Sequence, residues 1–260
     1  MGRNANGTGN QSAGPRLYLV GEGESEIGHR PPQEMHRYRE GALAQFLARA
    51  LTGSSWDYRD QFPFRVVDAQ KWSNVPLHHM GDRKRMTFAQ LASMSTTEHR
   101  VRAVLVAAKM KGADCVVILL DQEKTNIPDA REKVLGGHKA YLAARATAGR
   151  PGTDPAPGLV VGAPSRCLET WLLVDPEARK TVLGSSEPDP FSTQPEERPA
   201  PQELKLHLRN SCQVAHLKVH EARRMLAAAA RPETLKKRCP KAYGPFLDDI
   251  KRELAPLAKN

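Results

Sequence analysis

Cys115-Val-Val-Ile-Leu-Leu120, closing on Asp121-Gln122-Glu123, is the stretch that decides the fold. Six apolar residues in a row are too short for a buried helix. They read as a strand covered on both faces, the pattern of a parallel sheet rather than of a half-exposed one. Arg16-Leu-Tyr-Leu-Val20 is a second run of this kind, stopping at Gly21-Glu22-Gly23-Glu24-Ser25-Glu26, and Leu159-Val160-Val161 is a short third. Residues 62–67 predict one more strand. Between these lie helical periods. Leu43, Phe46, Leu47 and Ala50 share a face over residues 38–51, with a stop near Gly53. Residues 87–111 repeat helically but pause at Ser95-Thr96-Thr97, where an N-cap can open a helix running to Gly112. Residues 129–147 and a segment opening near Glu169 continue the alternation. Strand and helix in turn predict an α/β fold: a mainly parallel, Rossmann-like sheet of about four strands with right-handed crossovers and flanking helices.

Around this unit, residues 1–15 are rich in Gly, Asn and Ser and read as a flexible tail without the apolar core of a secretory signal. The α/β unit is expected over 16–183. Residues 184–202 carry five prolines and read as a linker or long loop. Residues 203–260 read as a wholly helical C-terminal segment. That segment holds 13 Lys and Arg against 6 Asp and Glu, net +7, whereas residues 1–202 carry only +3 of the total of +10. A basic end beside a near-neutral body suits a polyanionic partner, and a solvated helix face also produces it. Aromatic residues at 5% argue against a binder of single strands built on stacked rings. No run reaches the roughly 20 apolar residues of a membrane helix, so a cytoplasmic protein without membrane contact is expected. The four cysteines show no C-x-x-C pair and read as reduced thiols. Cys212, His216 and His220 recur every four residues with Cys239 beyond, a spacing that matches no standard zinc module and reads as a polar helix face.

Ligands of open α/β sheets gather at the carboxyl ends of strands. Here those ends are acidic: Glu22, Glu24 and Glu26 after the first strand, Asp121 and Glu123 after the third, and Glu169 beyond the fourth. If the strands are neighbours, these acids converge, and converging carboxylates repel unless a cation joins them. Mg²⁺ suits such a set, taking one or two carboxylates, water and a substrate phosphate oxygen. Asp121 and Glu123 point the same way in extended chain, and Gly21 and Gly23 leave room for backbone and phosphate to approach. Two other phosphate sites are excluded. Gly21, Gly23 and Gly28 miss the G-x-G-x-x-G spacing, and no G-x-x-x-x-G-K-[ST] loop occurs.

Leu19-Val-Gly-Glu22-Gly-Glu-Ser-Glu26 resembles the strand-then-E-G-x-[ST]-E opening of TOPRIM-like domains, and Val117-Ile-Leu-Leu-Asp121-Gln-Glu123 resembles their strand-then-D-x-D step. Ser165-Arg-Cys-Leu-Glu169-Thr-Trp171-Leu-Leu-Val-Asp175-Pro, Pro201-Gln-Glu-Leu-Lys205 and Arg238-Cys-Pro240 extend the likeness to the bacterial TOPRIM-like family known as domain of unknown function 4276. The resemblance spans about residues 16–254. It implies Glu22 as a metal ligand or general acid/base, Glu26 as the second acid of the opening motif, Asp121 and Glu123 as the metal pair, and Glu169 as a further acid. Glu123 stands where the family pattern has Asp, one methylene longer.

Several cations can serve a phosphate. Arg83-Lys84-Arg85 could clamp one or be a solvated turn, Lys124 could offset transferring charge or merely the acids, and Arg166 could do either. His78 and His79 read as ordinary loop histidines, Ser25 lacks a relay histidine, and Trp171 reads as a core residue that orients its helix. The expected function is a TOPRIM-like nuclease using Mg²⁺ or Mn²⁺ on DNA or RNA, in a setting such as anti-phage defence by implication of the resemblance. The alternatives are a non-catalytic or conditionally active subunit partnering a separate ATPase, and a phosphotransfer enzyme on small substrates. A homo-oligomer is compatible with all three.

Overall fold

A computed structural model describes residues 14–29, 38–52, 62–75, 95–122, 130–147, 155–184, 189–191, 195–197 and 199–259. Four parallel strands form one sheet: β1 (Arg16–Gly21), β2 (Arg65–Lys71), β3 (Cys115–Leu119) and β4 (Gly158–Gly162). Their spatial order is β2-β1-β3-β4. The apolar runs of β1, β3 and β4 are buried almost throughout because both faces are covered, and the period of two sorts their side chains. Leu17, Leu19, Cys115, Val117, Leu119 and Val160 enter one core, while Tyr18, Val20, Val116, Ile118, Leu159 and Val161 enter the other.

Helices α1 (Glu24–Ile27) and α2 (Ala42–Thr52) follow β1. α3 (Thr96–Met110) precedes β3, and α4 (Ala130–Thr147) precedes β4. α3 and α4 pack together over the second core. The pause at Ser95 is the predicted N-cap: Ser95 Oγ accepts the Glu98 N–H, and the Glu98 carboxylate accepts the Ser95 N–H at 2.6 Å. β2 lies three residues later than expected. Phe62 and Phe64 stack beside the sheet, whereas the residues that pair with β1 are the half-buried, partly polar Val66-Val67-Asp68-Ala69-Gln70 of an edge strand. Register shifts by one residue there, a bulge suited to an edge.

Beyond β4 come α5 (Leu168–Leu173) and α6 (Pro176–Leu183), separated by Asp175, which caps α6 by accepting the Glu177 N–H. The C-terminal segment is α-helical in four pieces. It forms α7 (Pro201–Val214), α8 (Val219–Ala229), α9 (Pro232–Arg238) and α10 (Tyr243–Glu253). His216, at φ 53°, breaks the first junction, while Pro232 and Pro240 stop the helices before them. These helices join the first core with α2, and α10 lies along β4. There the buried Asp249 accepts the outward N–H of Val161 at 3.2 Å, and Arg131 donates to the Val161 carbonyl at 2.6 Å. A polar edge that would otherwise be open is thereby satisfied. Arg131 and Arg252 both pair with Asp249. Trp171 of α5 is fully buried against Phe46, Tyr243 and Phe246, with ring centroids 5.9, 5.0 and 5.2 Å away. No helix among the described residues is long and apolar enough to cross a membrane.

Candidate functional site

The strand order reverses direction between β1 and β3: the chain passes from β1 to β2 on one side, then returns to build β3 and β4 on the other. Such a switch point opens a crevice at the carboxyl ends of its two strands. Val20 pairs with Ile118, so the residues just beyond them meet across that crevice. The Glu22 carboxylate accepts the backbone N–H of Asp121 at 3.1 Å, although 99 residues separate the two in sequence. The Asp121 carboxylate in turn accepts the Leu168 N–H at 2.9 Å, which ties the start of α5 to the end of β3 and sets Glu169 beside them.

Glu26 has a local task. Its carboxylate accepts the N–H groups of Glu22 and Gly23 at 2.8 and 3.2 Å, folding the one-turn helix α1 back over the strand end and fixing the backbone of Glu22. Gly21 serves the same turn. A Cβ there would fall 2.5 Å from Ile27 Cγ2, so the room expected for a phosphate is filled by the chain itself, while the space around Gly23 stays open.

Glu26, Asp121 and Glu169 are all buried. A cation that answers Glu169 comes from α8. Arg223 forms an ion pair with Glu169 through Nη2 and donates from Nη1 to Ser25 Oγ at 2.6 Å. The buried Cys167 thiol lies next to this carboxylate, and burial together with the neighbouring Glu169 and Asp121 pushes its pKa well up. Lys205 of α7 lies close enough to pull that pKa partly back. α7 and α8 both pack on α5, and α8 also touches α1, so this basic helical pair overhangs the acids.

Of the residues singled out from sequence, Glu22, Glu26, Asp121 and Glu169 are brought together. Arg166 reaches the Glu197 carbonyl. Glu123, Lys124, Arg83, Lys84, Arg85, His78 and His79 lie outside the described residues. Among the described residues no group of three or more His, Cys, Asp or Glu side chains is arranged to hold a metal ion. Cys212 and Cys239 are packed in the first core as free thiols, like Cys115 and Cys167. The remaining quoted motifs hold the frame: Asp175 takes three hydrogen bonds from Arg231, and Arg238 donates to the Val174 carbonyl at 2.9 Å. Arg223 was not legible in the sequence. Its only signal was the surplus of charge in the C-terminal segment, which it shares with twelve other cations. Comparisons with protein-family models, with curated proteins and with solved structures find no match.

Proposed function

We propose that this chain is a metal-dependent, TOPRIM-like nuclease that cleaves phosphodiester bonds in DNA or RNA, with its site at the β1–β3 switch point. The observation that carries this reading is the bond between the Glu22 carboxylate and the Asp121 backbone. It places two acids from remote stretches of chain side by side at the position where open sheets take ligands. Their oxygens suit Mg²⁺ or Mn²⁺, since such ions bind through one or two carboxylates and complete their shell with water and phosphate. Glu22 and Asp121 would hold the ion, with Glu123 the third candidate from outside the described residues. When bound, the ion would supply an activated water and offset charge on the phosphate. Glu26 holds the turn that aims Glu22, and Asp121 holds the start of α5. The basic α7–α8 pair would contact the nucleic acid backbone without regard to sequence.

The test is cleavage of plasmid, linear DNA, single-stranded DNA and RNA with Mg²⁺, with Mn²⁺ and with neither. Cleavage is expected only with a divalent ion and is lost in Glu22→Gln and Asp121→Asn. Undiminished cleavage in both variants rejects the site. A second reading, a conditionally active subunit that works with a separate ATPase, draws on the way Glu169 is taken by Arg223 and Glu26 by the backbone. Cleavage by the isolated chain rejects an obligate partner, and activity only on adding one supports it.

A further inference from the structure

We infer that Arg223 is the residue that contacts the substrate phosphate, and that Glu169 acts as its positioning residue rather than as a metal ligand; this rests on the nuclease reading above. Three observations carry it. Arg223 reaches the acid crevice from α8, on a helix that touches both the α1 turn beside Glu22 and the α5 helix that Asp121 anchors. Its guanidinium is held at two points, Ser25 Oγ and the Glu169 carboxylate, which fixes its plane as a phosphate-binding fork requires. Its side chain stays 20% exposed and each Nη carries a second N–H, so the group keeps donor capacity beyond those two anchors.

Glu169 is built for holding a cation of the protein. It is 1% exposed and is held in an ion pair by Arg223. An unpaired anion so deeply buried would be costly, and a carboxylate already taken by a guanidinium has less left for an ion. The positive charge that a polyanion needs beside four acids is thus delivered by the chain's own C-terminal part. Ser25 follows the same logic: its hydroxyl is turned to Arg223, where it orients a guanidinium.

Three variants decide the matter: Arg223→Gln, Glu169→Gln and the double substitution. Each is measured for binding of fluorescein-labelled DNA and RNA oligonucleotides by anisotropy with Ca²⁺ in place of Mg²⁺, for Mn²⁺ binding by calorimetry, and for urea stability. Arg223→Gln should bind oligonucleotide about tenfold more weakly, with the slope of log affinity against log salt reduced by about one, and should bind Mn²⁺ as the unaltered chain does. It should also lose stability, because Glu169 is left as a buried lone anion. The double variant removes that anion, so it should regain the stability and not the binding. Recovery of both would overturn the inference, since Arg223 would then only neutralise Glu169. Loss of Mn²⁺ binding in Glu169→Gln would overturn it by making that residue a ligand, and so would an unaltered chain that binds none of the oligonucleotides. Failure of the parent reading looks different: Asp121→Asn would bind Mn²⁺ and cleave as before, whatever Arg223 does.

Discussion

Replacing Asp121 in two ways separates its two roles. Its side chain is 3% exposed and accepts the Leu168 N–H at 2.9 Å, at the first turn of α5. Asp121→Ala leaves that N–H buried without its acceptor, a loss of about 1–3 kcal/mol. It also removes an anion from a helix start, worth about 0.3–1 kcal/mol. The alanine variant should therefore lose about 2–4 kcal/mol of unfolding free energy, a large share of the roughly 5–15 kcal/mol typical of a domain. Asp121→Asn keeps an amide oxygen in the same place and gives up only the charge, so its loss should stay near 1 kcal/mol. Urea unfolding at neutral pH, followed by circular dichroism, measures both. Asparagine is consequently the informative variant for function, because its inactivity would not be a symptom of a loosened α5. Two results refute the reasoning. Stabilities of the two variants within about 0.5 kcal/mol of each other would mean the side chain does not hold Leu168. Metal-dependent cleavage by Asp121→Asn at the original rate would mean the charge is not used.

Two further predictions concern the frame. Burial raises the pKa of Asp175, but the Arg231 hydrogen bonds outweigh it and hold the carboxyl below its ordinary 3.8. A depressed folded value means the stabilisation is complete above 3.8 and is lost as pH falls through the folded value. Urea midpoints measured from about pH 6 down to about pH 2 should drop more steeply for the unaltered chain than for Asp175→Asn, and equal slopes would count against this pair. Trp171→Ala should cost about 3–5 kcal/mol, because its ring joins α5 to α2 and α10 in a closed aromatic cluster. A loss below about 1 kcal/mol in the same unfolding assay would mean the cluster does not hold α5 in place.

The sheet was legible because burial on both faces leaves a direct mark: Cys115–Leu119 has no polar residue to misread. Edge strand β2 carried no such mark. Its pairing rests on backbone groups, and the aromatic Phe62 and Phe64 drew the expected strand three residues early. The C-terminal breaks were written plainly in Pro232 and Pro240, yet helical composition masked them; the turn at His216 depends on a positive φ that histidine composition does not announce. In the site, the strand-end acids were visible because a loop position after a strand is a local property. Their meeting was not, since it depends on β1 and β3 being neighbours. Arg223 was the least legible. Which of thirteen C-terminal cations turns inward follows from the phase of α8 and the angle of its hairpin with α7, both set by packing on α5.

The hydrogen bonds of the crevice do not by themselves account for its acids. The Glu22, Asp121 and Glu26 carboxylates accept backbone N–H groups there, and a neutral Asn, Gln or Ser oxygen can accept such a bond without bringing a charge. Neighbouring carboxylates disfavour one another's charged forms, and burial adds a desolvation cost to each. Glu26, Asp121 and Glu169 are nonetheless buried with Glu22 among them, and Arg223 forms its ion pair with Glu169. These acids sit at the place in the sheet where topology opens a crevice. Buried acids gathered at a switch point are where a ligand site is to be sought in an open α/β sheet. On the nuclease reading proposed above, the ligand of these acids would be a divalent cation, and that of Arg223 beside them the phosphate such a cation would share.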